Sequence, residues 1–92
     1  MSMQLNILNC DIELSFSKEA LFDVIYEIAP LAVLKKKELS GEDIATLLHI
    51  MMADQGYFHD YKEVERALFE KGAAFYREYI LKAFEERGLI RQ

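Results

Sequence analysis

From Leu8 to Ser17 the chain alternates without a break, with Leu8, Cys10, Ile12, Leu14 and Phe16 on one side and Asn9, Asp11, Glu13, Ser15 and Ser17 on the other. Period two over this stretch predicts a strand, residues 8–17, with one buried face. The period then changes. Ser17 is a good helix cap, Glu19 suits the positive end of a helix, and Leu21, Val24, Ile25 and Ile28 recur at helical spacing. Helix 18–29 is therefore expected, ended by Pro30, which biases Ala29 away from helical backbone. Leu31 to Leu34 is too short for its period to decide, and 31–35 reads either as a second short strand or as kinked helix. Ser40 to Asp43 reads as a capping box that opens helix 41–53, with Ile44, Leu47, Leu48, Met51 and Met52 as its buried stripe and Gly56 as its stop. Asp60 and Glu63 repeat the capping pattern. From Tyr61 the helical period continues to Arg87, with Gly88 placed as a C-terminal cap and Leu89 and Ile90 behind it. The fold class is α+β and mostly helical: one N-terminal strand packed with three helices, the last one long, in a single domain 1–92.

The long final helix raises the question of a second copy. A helix over 61–87 is about 40 Å long, whereas a compact domain of this size is about 30 Å across. Its apolar face still runs on to Phe84. A lone strand likewise leaves backbone donors and acceptors unpaired. Both features point to a homodimer. Gly72-Ala73-Ala74 interrupts a helix of larger residues, and close approach of another helix, within the monomer or at a dimer axis, would compensate the glycine. Gly72, Ala73, Phe75, Tyr76 and Tyr79 are the self-association candidates.

Composition narrows the function classes. An apolar fraction of 52% excludes disorder. The net charge of −5 is concentrated at the start, where Asp11, Glu13, Glu19, Asp23 and Glu27 face Lys18 alone, while 60–92 is balanced. An acidic surface disfavours nucleic acid and accepts a basic partner. The lysines at 35–37 read as a solvated turn. A helix-turn-helix reading fails on Asp60, Glu63 and Glu65, which stand where a recognition helix meets phosphates. The longest apolar run, Ile28 to Leu34, is too short to span a bilayer and contains Pro30. A single cysteine, Cys10, forms no internal disulfide, and no basic segment precedes an apolar one near the start, so a cytoplasmic location is expected.

The candidate chemistry is sparse. Tyr57, Phe58 and Tyr61 fall in a loop and a first turn, where core packing explains aromatic residues least. With the adaptable Met51 and Met52 and the acidic Asp11 and Glu13 they form the candidate partner-binding set. His49, Asp54, His59, Asp60 and Glu63 cluster in the middle third, and His59 stands four residues before Glu63, a spacing that metal ligands use. Yet there is no HExxH pattern, and His49, between Leu48 and Ile50, reads as a half-buried helix residue. Cys10, on the apolar face of a strand, reads as inert. No residue is assigned to catalysis, cofactor or metal. The reading is a non-enzymatic protein-binding module of inhibitor, adaptor or chaperone type, acting as a homodimer. The alternative is a small metal-dependent or acid–base enzyme using His49, His59 and nearby carboxylates, with a DNA-binding regulator the least supported.

Overall fold

A computed structural model of the chain describes residues 4–28 and 39–85. The 31–35 element, the end of the first helix at Pro30, the lysine turn at 35–37 and the Gly88 cap lie outside the described residues. In chain order the elements are β1 (Gln4–Ile7), β2 (Cys10–Glu13), α1 (Lys18–Glu27), α2 (Gly41–Asp54), α3 (Tyr61–Lys71) and α4 (Ala73–Glu85). The fold is α+β and mostly helical, with a two-stranded antiparallel sheet.

The expected strand 8–17 is a hairpin instead. Leu8 and Asn9 both have positive φ, 51° and 60°, the geometry of a two-residue turn that matches strand twist. Pairing runs Gln4 to Glu13, Leu5 to Ile12, Asn6 to Asp11 and Ile7 to Cys10. The signal was the adjacent apolar pair Ile7-Leu8, where alternation slips by one residue. Leu5 and Ile7 carry one phase, and Cys10, Ile12, Leu14 and Phe16 resume it across the turn. Leu5, Ile7, Ile12, Leu14 and Phe16 are buried. β2 therefore has its partner in β1, and the unpaired-strand argument for a second copy does not apply to it.

Helix α1 starts where expected: the Ser17 hydroxyl accepts the Ala20 N–H at 3.2 Å. Ala20 and Val24 are buried, but Ile25 is not part of the core stripe. It stays exposed, as do Phe22 (71%) and Tyr26 (88%), so α1 keeps an apolar outer side.

Helix α2 is the spine. Its start carries the full capping box, with the Asp43 N–H donating to the Ser40 hydroxyl at 3.1 Å and the Ser40 N–H donating to the Asp43 carboxylate at 3.3 Å. Ile44, Ala45, Leu47, Leu48, Met51 and Met52 are buried, a face wider than a surface helix presents, because α2 touches β2, α1, α3 and α4. This overturns the assignment of Met51 and Met52 to a binding surface: both are fully enclosed. The helix ends in a paired terminal turn, with the Gly56 N–H donating to the Ala53 carbonyl at 3.1 Å and the Tyr57 N–H to the Met52 carbonyl at 2.8 Å. Gly56, at φ 90°, makes that turn possible.

The expected helix 61–87 is two helices. Gly72, at φ 90°, closes α3 with its N–H on the Leu68 carbonyl at 2.8 Å, and α4 starts at Ala73. The glycine is there for its conformation, since among the described residues, its chain neighbours aside, no atom lies within 4 Å of the position a Cβ would take. Folding α4 against α2 and α3 buries Tyr76 and Ile80 in the common core. Tyr76 is thus withdrawn from the self-association candidates, Tyr79 is half-buried, and Phe75 is exposed, meeting the Tyr76 ring edge to face and the Tyr79 ring at a tilt. The extents are 29 × 27 × 26 Å, so among the described residues no helix overhangs the body and the length argument for a dimer falls away.

Gly72→Ala tests the break by its sign. At positive φ an added Cβ costs about 1–2 kcal/mol, so the denaturation midpoint is expected to fall. A continuous helix through 61–85 would instead gain about 1 kcal/mol from the same change.

Candidate functional site

The end of α2 ties the molecule together. The Gln55 side chain lies along β2 and acts as a third strand would: its carbonyl oxygen accepts the Glu13 N–H at 2.8 Å, and its Nε2 donates to the Glu13 carbonyl at 2.7 Å. One residue earlier, the Asp54 carboxylate accepts the Ser17 N–H at 3.0 Å and the Ser17 hydroxyl at 2.5 Å. Ser17 caps α1, so the last turn of α2 sets where α1 begins.

That placement opens a groove of about 520 Å³ between α1 and α2. Glu19, Asp23 and Glu27, four residues apart, line it from α1, and Glu42 and Asp54 line it from α2. Its apolar lining is Ala20, Ile50 and Ala53, and Thr46, His49 and Tyr61 complete it. Among the described residues no lysine or arginine lines it. The Tyr61 phenol is raised above its ordinary value, first by burial and then by the charges of Glu65 and Glu42, so it stays neutral and can donate near pH 7. Phe22 and Tyr26, also four apart on α1, stand beside the acidic row.

The loop from α2 to α3 passes behind this groove. Phe58 is 83% exposed and Tyr57 is marginally so. His49 Nε2 lies 3.0 Å from the His59 carbonyl. A carbonyl only accepts, so that nitrogen carries the hydrogen, and His49 meets Tyr61 edge to face. His49 thus anchors the loop. His59 Nδ1 lies 3.3 Å from Glu63 Oε2, and its Nε2 lies 3.7 Å from Cys10 Sγ. Among the described residues no group of three or more His, Cys, Asp or Glu side chains is arranged to hold a metal ion, and no helix is long and apolar enough to cross a membrane.

The candidate residues therefore separate. Tyr61 joins the groove, and Tyr57 and Phe58 present side chains from the neighbouring loop. Asp11 is exposed and accepts from Asn6 Nδ2 across the hairpin at 2.9 Å. Glu13 is half-buried, with its backbone held by Gln55 and its carboxylate accepting the Ser15 hydroxyl at 3.0 Å. Sequence reasoning missed Glu19, Asp23, Glu27 and Glu42 as a set. The four-residue spacing of the first three was the available signal; Glu42, from another helix, had none. Comparison with models of known families, with curated proteins and with solved structures gives no match.

The Tyr61 shift fixes a pH dependence. In the unfolded chain the phenol ionises near 10, whereas in the fold it holds its proton to higher pH. Stability from this group is present below pH 10 and lost as pH rises above it, because the unfolded chain releases the proton first. Urea midpoints between pH 8 and 11 are expected to fall more steeply for the native protein than for Tyr61→Phe.

Proposed function

We propose that this chain is a non-enzymatic binding module whose acidic groove between α1 and α2 receives a basic segment of another protein. The observation that carries the reading is the lining itself: five carboxylates, Glu19, Asp23, Glu27, Glu42 and Asp54, around a space of about 520 Å³. That volume is in the range of sites that enclose a ligand or side chain. Negative charge in a cleft with low-dielectric walls focuses the field and raises the local concentration of cations. Ala20, Ile50 and Ala53 suit the aliphatic stem of a lysine or arginine whose head reaches the carboxylates. Phe22 and Tyr26 beside the acidic row, and Phe58 on the loop leading to Tyr61, are aromatic surfaces of the kind that anchor interfaces and attract cations. The single cysteine agrees with a reducing cytoplasmic setting.

The test uses a defined probe, a synthetic lysine- and arginine-rich peptide, titrated into labelled protein and followed by NMR. Shift changes are expected at Glu19, Asp23, Glu27, Glu42 and Thr46, with affinity falling as salt rises. The triple change Glu19→Gln, Asp23→Asn, Glu27→Gln should weaken binding about tenfold or more while the amide spectrum stays that of the folded protein. Shifts scattered over the whole surface, or equal affinity for the triple variant, contradict the reading.

A further inference from the structure

We propose that Cys10 is a thiol-exchange site, with His59 as its general base and Glu63 as the residue that orients the base, and that its substrates are low-molecular-weight disulfides. Three side chains from two distant parts of the sequence form a row. Cys10, half-buried at the start of β2, places Sγ 3.7 Å from His59 Nε2. His59 places Nδ1 3.3 Å from Glu63 Oε2. A carboxylate accepts and does not donate, so Nδ1 carries the imidazole hydrogen and Nε2 turns its lone pair to the thiol. Nucleophile, base and orienting acid in this order are the arrangement that activates a weak nucleophile. Among the described residues these groups are not arranged to hold a metal ion.

The row is held at its base. Glu63 Oε1 accepts the Asp60 N–H at 3.4 Å in the first turn of α3. The carbonyl of His59 accepts from His49 Nε2 at 3.0 Å, which ties the loop to α2. The two-residue turn brings Cys10 to the end of the hairpin, with Leu8 and Asn9 in left-handed backbone.

The thiol hydrogen has a competing acceptor in the Leu8 carbonyl, 3.4 Å from Sγ. The hydrogen passes to His59 Nε2 as the sulfur attacks. In the step, Cys10 Sγ attacks one sulfur of R–S–S–R, a new S–S bond forms and the old one breaks. The thiol proton passes to His59 Nε2 and from there to the departing RS⁻, which leaves as RSH. Cys10 is oxidised to the disulfide level and the leaving sulfur is reduced to a thiol, so the substrate is the only oxidant required. The chain holds one cysteine, and no second thiol in the same chain can displace the adduct. It persists until an external thiol reverses it.

Exchange asks for nothing beyond these groups, whereas acyl transfer also needs donors preset for an oxyanion. A dent of about 120 Å³, lined by Leu8, Glu63, Arg66, Ala67 and Glu70, borders the row at Glu63 and at Leu8, whose carbonyl faces Sγ. It has room for a small R group and not for a folded partner. The site is separate from the acidic groove and stands or falls independently of what that groove binds.

The probe is bis(2-hydroxyethyl) disulfide, with adduct formation on the folded protein followed by intact mass from pH 5.5 to 9.5. The rate is expected to rise in two steps, the lower one below the range near 8.5 where an ordinary free thiol ionises. His59→Gln should remove the lower step and slow the reaction at pH 7 about tenfold or more. Glu63→Gln should lower the rate by a smaller factor, and Cys10→Ser should give no adduct. If His59→Gln fails to fold, Glu63→Gln carries the test through the same pH profile. A single rise near pH 8.5 that neither variant changes, or a thiol that reacts only after denaturation, overturns the proposal.

Discussion

Two adjacent residues at the end of α2 hold the rest in place. Gln55 completes the backbone hydrogen bonding of Glu13 from both sides, and Asp54 accepts both donors of Ser17. A two-stranded hairpin alone is marginal in water, and a ten-residue helix such as α1 does not form alone. Each survives because its edge or its cap is bound to the helix with the largest buried face. A half-satisfied backbone pair at that depth costs about 1–3 kcal/mol per group, so the tie also fixes the register of the hairpin against the helices.

Both candidate sites follow from that tie. Placing Ser17 against Asp54 sets α1 beside α2, and the row Glu19, Asp23, Glu27 then faces Glu42 and Asp54 across one groove. That lining of five carboxylates is the feature on which the proposal of a basic partner rests. Placing β2 against the same end of α2 also brings the hairpin turn, with Leu8 and Cys10, to the loop that carries His59. The histidines divide the work: His49 spends its hydrogen on the loop backbone, which leaves His59 between a thiol and a carboxylate.

Much of the fold was legible along the chain. Ser17 and Ser40 cap the helices they were expected to cap, and the buried stripe of α2 is the one its spacing predicted. The misses have particular causes. Leu8 takes a left-handed backbone that leucine rarely adopts, so the turn carried no glycine to announce it. Gly72 sits where helical period continues on both sides, and period does not reveal a change of direction at one residue. Met51 and Met52 stood on the predicted buried stripe and were also counted as partner-binding residues; their full burial leaves only the first reading. Of the candidate site, the His59–Glu63 spacing and the acidic row of α1 were readable. The approach of Cys10 to His59 was not, because it depends on the side chain of Gln55 finding the backbone of Glu13.

The tie itself is best tested by amide hydrogen exchange on the native protein and on Gln55→Ala. The Glu13 amide is expected to exchange slowly in the native protein and to accelerate in the variant far more than the interior amides of α2. A Glu13 amide that exchanges freely in the native protein, or one whose protection survives the loss of the Gln55 side chain, would contradict it.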